Sequence, residues 1–316
     1  MVKIIVLFFI CLNGFAIQSL EPSKIFTATG SVQDIKYNKE KIYAATDNGT
    51  VEIFDINTKE RLNTIKIPDI KDFMGDSTPS KIYSIDILKG KILIVSQGMK
   101  GYRNIFIYDN NLKKIIDINK KFYIKKAYFV NEDEIVFALL SNQIGLYNTK
   151  TKTLKYLIQV SASSFSDFVI SEDKKTIAST DESGIVRIID IQKGSIKKEL
   201  KSLNLDKVYQ LDLKKGIILT AGQDRKAVLY NKLNSYTLDF DFLLYSCALD
   251  KNGNFGAIAF NEQNDVLIFN TKTKQYLYKL TKQEATITKI LFINENEILV
   301  SSDTQKINYF SLKEQK

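Results

Sequence analysis

The residue types that usually carry chemistry are sparse in this chain, and their absence restricts what it can do. There is no histidine and only two cysteines, Cys11 and Cys247, so zinc, copper, haem and iron–sulfur ligation by the usual side-chain sets is not expected. A Ser-His-Asp or Cys-His nucleophile cannot be built without His. Neither a Walker loop nor a Rossmann glycine pattern occurs. Carboxylates do cluster, at Asp239 and Asp241 and at Glu132, Asp133 and Glu134, but the trio lies in the segment NEDE between two apolar runs, where turn chemistry accounts for it. Asp250, Asn252 and Asn254 in DKNGN imitate the start of a calcium loop. The distal Glu is missing from the required position, and an Asn-Gly hairpin turn explains the stretch. No catalytic, cofactor-binding or metal-binding residue is assigned, and no cofactor is expected.

The elements that would position any site are all short strands. Residues 176–195, TIASTDESGIVRIIDIQKGS, read as an apolar strand, a polar turn at Asp181 and Gly184, a second strand closing at Asp190 and a Gly-containing turn. The same grammar starts at residues 41, 91, 134, 216, 254 and 297, which makes seven copies. Aligned on the residue that closes the second strand (Asp55, Asp109, Asn148, Asp190, Asn231, Asn270 and Ser311), they recur at spacings of 54, 39, 42, 41, 39 and 41. A period near 40 built from strands marks a four-stranded propeller blade, and the apolar i, i+3, i+4 pattern of helical repeats is absent. The fold class is therefore all-β, a seven-bladed β-propeller.

Runs such as VEIFDI, NIFIYD and VRIIDI are apolar on both faces, as expected of sheets sandwiched between neighbours. The position before the closing residue is Phe54, Tyr108, Tyr147, Ile189, Tyr230, Phe269 or Phe310. These large side chains are expected to fill the space between radiating blades. The first unit is written as strands 31–37, 42–46, 50–55 and 61–67. The last has only 286–293, 297–302 and 306–311. Because a closed ring removes the exposed edge, residues 24–29 are expected to supply the missing strand.

The N-terminus reads as an export signal over residues 1–19. Lys3 precedes nine apolar residues, Ile4 to Leu12, too few to span a bilayer, and small residues follow at Gly14, Ala16 and Ser19. Cleavage is expected after Ala16 or Ser19, leaving residues 20–316 as one propeller domain in the periplasm. Ile10 stands where a lipobox places Gly or Ala before the cysteine, which argues against lipidation of Cys11. Cys247, in the apolar run LLYSCALD, is expected to be a buried small hydrophobe. The fold then rests on core burial without a disulfide. The net charge is +9 with only four arginines, and the lysines are scattered through turns; this does not resemble a nucleic-acid reader, and no membrane span is expected.

Two irregularities in the repeat remain. The wide first spacing comes from residues 67–80, IPDIKDFMGDSTPS, and from the long hairpin turn 96–104, SQGMKGYRN. In a propeller both connections emerge on the same face, the one that carries the connections between successive blades. Phe73, Met74, Asp76, Met99, Tyr102 and Arg103 are the candidate partner-binding residues, since aromatic, Met and Arg side chains on scaffolded loops serve as interface anchors. Packing of Phe73 and Met74 beneath their own loop is the competing expectation.

Units such as ISEDKKTIASTDESGIVRIIDI resemble WD-repeat blades, through the turn aspartates Asp47, Asp181, Asp224 and Asp303 and the closing pairs Phe54–Asp55 and Tyr108–Asp109. The chain has no Trp and no His, so that family's side-chain network cannot be carried over. An exported, divergent seven-unit chain of this size also resembles the NapL family of accessory proteins encoded with periplasmic nitrate reductases. That resemblance implies a non-catalytic monomer that supports maturation or activity of a molybdenum nitrate reductase, with the reductase subunits as its protein partners. A second resemblance is to quinoprotein-like propellers, including the scaffold of outer-membrane assembly. A propeller enzyme is the remaining alternative, disfavoured by the missing His and Trp.

Overall fold

The computed structural model describes residues 17–313. The first sixteen residues, with Cys11 and all but the last three residues of the expected export signal, lie outside the described region. Seven sheets radiate from a common axis, each with its first strand innermost. Blade 1 comprises Val32–Asn38, Lys41–Thr46, Thr50–Asp55 and Arg61–Lys66, paired antiparallel in that order. Blades 2 to 5 repeat this order, from inner strands Ile82–Leu88, Ile124–Phe129, Phe165–Ile170 and Val208–Lys214. Blades 6 and 7 begin at Cys247–Leu249 and Ile287–Asn294.

The ring closes as the strand count requires. Lys24–Thr27 pairs antiparallel with Lys306–Ser311 and supplies the outer strand of blade 7. Phe26 buries its ring there against Phe54, at a centroid distance of 6.0 Å. A second N-terminal strand was not anticipated. Gln18–Leu20 runs parallel to Tyr276–Leu280 and gives blade 6 a fifth strand, and the Leu20 carbonyl accepts from the Thr281 amide at 2.9 Å. Cleavage after Ala16 would leave this strand whole, whereas cleavage after Ser19 would remove two of its three residues.

The core is divided, because sheets that radiate have no common centre to fill. Seven apolar clusters each lie between two neighbouring blades. Phe54, Tyr147, Ile189, Tyr230, Phe269 and Phe310 are buried in these layers, while Tyr108 is half-buried at the edge of its layer. Gly256 makes room for one of these rings: a Cβ there would stand 2.4 Å from Phe269. Cys247 is buried and unpaired, and burial pushes its thiol well above the ordinary range.

Turn aspartates stitch the loops and turns on one face of the ring together. Asp181, fully buried, accepts from Asn142 at 2.8 Å and Ser161 at 2.6 Å and forms an ion pair with Arg187 at 2.5 Å. Burial works to raise its pKa, but the Ser161 and Ser183 hydrogen bonds and the Arg187 charge outweigh it and hold the carboxyl below its usual range. Asp47 accepts from the Ser31 amide, Asp224 from the Leu205 amide and Asp303 from the Ser31 hydroxyl.

Candidate functional site

The connection from blade 1 to blade 2 forms its own small hairpin, Ile70–Lys71 paired with Ser77–Thr78. Pro68 and Pro79, two of the chain's three prolines, flank it and fix φ at its roots. Asp72 braces the tip: its carboxylate accepts from the Met74 and Asp76 amides at 2.9 Å each, and Gly75 turns the chain at φ +92°. Phe73 is 95% exposed and Met74 72% exposed at this tip, so they do not pack under their own loop. Asp76 is exposed beside them.

The second loop divides its residues differently. Met99 is exposed, in a single 3-10 turn at Met99–Gly101. Tyr102 is half-buried, its ring 4.9 Å from that of Tyr123. The half-buried Arg103 guanidinium lies 3.5 Å from the Tyr83 ring centroid and donates to the Ile124 carbonyl at 3.0 Å. The two loops join at their roots, where the Ser80 hydroxyl donates to the Gln97 carbonyl at 2.5 Å. Phe73, Met74, Asp76 and Met99 are thus presented to solvent, while Tyr102 and Arg103 are turned onto the propeller body.

The carboxylate groups singled out in the sequence serve as turn and ion-pair groups. Glu132 pairs with Lys89, Glu134 with Lys155 and Asp239 with Lys226, and Asp250 accepts from the Asn252 and Phe255 amides.

The axial channel holds the residues that the sequence reading missed. Asp34, Ser84, Lys126, Asp167, Gln210 and Lys289 occupy the same register position on six inner strands, and all line a cavity of about 470 Å³. The cavity wall also includes Gln33, Tyr83 and Lys125, which stand where the chain enters the inner strands from the connections between blades. It therefore opens on the same face as the hairpin at 67–80, called here the upper face. Deeper in the channel, Lys36, Tyr128 and Asp212 line a second cavity toward the lower face, Asp86 stands 3.8 Å from Lys36, and Lys289 reaches both cavities.

Four carboxylates thus surround the axis, but each is committed to the neighbouring blade. Asp34 accepts from the Ile85 amide, Asp86 from Phe129, Asp167 from Leu211 and Asp212 from Leu249, at 2.9–3.3 Å. Among the described residues no three His, Cys, Asp or Glu are grouped to hold a metal ion. The lysines between these carboxylates differ in environment. Burial pulls the Lys36 ammonium below its ordinary pKa, despite Asp34 and Asp86. Burial acts the same way on Lys126, but Asp167, 2.8 Å away, together with Asp34 outweighs it and keeps the pKa raised. A polar residue recurring mid-strand in VQDIKY, IYSIDI, FSDFVI and VYQLDL was the sequence signal for this ring.

The architecture can be compared with known proteins. No sequence family matches the chain, and no curated protein does. A solved structure does: the β-propeller domain of Cps50 (Swd1) from Myceliophteria thermophila superposes with a TM-score of 0.74, over 92% of this chain and 99% of that one. The chain is a seven-bladed β-propeller. At 14% identity the likeness extends to the fold alone. Among the described residues no helix is long and apolar enough to cross a membrane.

Proposed function

We propose that this chain is an exported, non-catalytic scaffold that holds a protein partner against its upper face, and that the partner is a subunit of a periplasmic nitrate reductase system. The observation that carries the scaffold reading is the hairpin tip, where Phe73 and Met74 stand 95% and 72% exposed on a braced turn. Burying each of these side chains in a partner would yield about 1.5–3 kcal/mol, with little ordering cost because the turn is already fixed. A propeller fold suits protein–protein interaction, and the absence of His removes the commonest acid-base group from any site on it. The partner class rests on the resemblance to NapL-type accessory proteins and on the apolar leader of the sequence.

The test is affinity purification of the tagged protein from the periplasm of its own cells grown on nitrate, beside a Phe73→Ala/Met74→Ala variant. Recovery of a nitrate reductase subunit by the wild type, and its loss in the variant, is the expected result. Recovery of outer-membrane assembly components instead would replace the nitrate reductase assignment. Equal recovery of any partner by both proteins would remove the hairpin from the interface.

A further inference from the structure

The upper mouth of the channel carries more positive charge than its carboxylates neutralise. Of the lysines lining it, Lys126 is paired with Asp167 and Lys207 with Glu182 at 3.2 Å. Lys125 and Lys289 have no carboxylate within ion-pair distance among the described residues, and neither does Arg103, which stacks on the cavity residue Tyr83. Burial, with the neighbouring Arg103, Lys126 and Lys81 charges, pulls the Lys125 ammonium below its ordinary pKa, against the opposing pull of Asp167. The Asp34 and Asp167 carboxylates each take one oxygen to a neighbouring backbone amide, so they are not free to move toward Lys125 or Lys289. The Ser166 hydroxyl, on the same wall, is buried without a hydrogen-bond partner. A concave site with excess charge of one sign, walled by protein, focuses its field outward and attracts the opposite charge. Tyr83 and Tyr209 add aromatic surface beside the ammoniums.

We propose that this mouth receives an acidic peptide segment of the partner, with Lys125 and Lys289 binding its carboxylates and Arg103 as a third cation at the rim. The proposal rests on the scaffold reading above and deepens it: the exposed hairpin supplies an apolar anchor, and the channel mouth supplies charge selection and register. Phosphate shares the anionic chemistry; a peptide is favoured because aromatic side chains line the wall among the cations and an apolar anchor stands on the same face.

The experiment is fluorescence anisotropy of a fluorescein-labelled hexaglutamate peptide titrated with the full chain at low ionic strength. Three variants are compared with the wild type: Lys125→Met/Lys289→Met, the hairpin variant Phe73→Ala/Met74→Ala, and Lys150→Met/Lys272→Met, which removes two exposed lysines from turns on the lower face. The channel variant is expected to weaken binding about tenfold, while the other two leave it unchanged. Equal weakening by the lower-face variant would reduce the effect to net charge and overturn the proposal. So would the absence of wild-type binding. Displacement of the peptide by inorganic phosphate at an equal concentration of anionic groups would overturn the assignment to a peptide. Circular dichroism melts check folding. If the double variant melts early, Lys125→Met alone, at an exposed position, must still weaken binding. Loss of partner capture in the hairpin variant with peptide binding intact separates the two proposals.

Discussion

Asp181 ties blade 4 to the blade before it through a buried carboxylate. It was legible in the sequence as a turn aspartate, but the partners that bury it were not, because Asn142 and Ser161 come from the preceding blade and its outgoing connection. Replacing it with Ala leaves Arg187 buried with only the half-exposed Glu199 to pair with, and should cost about 3–5 kcal/mol, read as a lower urea midpoint with an unchanged slope. The pKa is depressed in the folded protein, so the stabilisation is fully present above the unfolded value, near pH 4, and is lost as pH falls through the folded value. Wild type should therefore lose stability below about pH 4, and part of that loss should be missing in Asp181→Ala. Tyr156 and Tyr236 each donate a 2.6 Å hydrogen bond to a backbone carbonyl of the next blade, Ile191 and Thr271. Burial pushes both phenols up to about 12. Ultraviolet titration should leave these two un-ionised until pH approaches that value, and Tyr156→Phe should cost about 1 kcal/mol.

At the scale of the element, the closing strand and the braced hairpin behave in opposite ways. The strand count left blade 7 one strand short, and the need to cover its edge pointed to residues 24–29; the structure places Lys24–Thr27 there. Phe26→Ala should lower stability by about 3–5 kcal/mol, since the ring is buried between blades 7 and 1 and little can collapse into the void. Deleting residues 20–29 should lower the melting temperature of the whole ring, and an unchanged transition would show that the strand does not close it. Gln18–Leu20 escaped the sequence reading because three residues carry no alternation of their own. Its place is fixed by the exposed edge of Tyr276–Leu280. The hairpin at 67–80 bears little of the fold: Phe73→Ala/Met74→Ala should leave the melting temperature within a degree or so of wild type, since neither side chain is packed. Tyr102→Ala, by contrast, removes a ring packed on Tyr123 and should loosen the 96–104 turn.

At the scale of the molecule, the two surface features lie on one face for a topological reason. Every connection between blades and every turn between the middle strands emerges above the ring, so the long loops and the channel mouth are placed together there. The sequence by itself determined the blades: apolar strands, Asp- and Gly-bearing turns and a period near 40 leave few other ways to bury both faces of short sheets. It also marked which loops depart from the repeat. It did not reveal the axial ring of Asp34, Lys126, Asp167, Asp212 and Lys289. Five of the seven blades contribute one of these groups each, separated by 41 residues or more, and in the linear chain each looks like an ordinary polar residue in a short strand. Only ring closure brings the inner strands to a common axis, where amides of neighbouring blades engage the Asp34 and Asp167 carboxylates and leave Lys125 and Lys289 outside ion-pair distance of any carboxylate among the described residues. Local pattern fixes the strand. The sum of charges at the axis is a long-range property, and tertiary structure decided it.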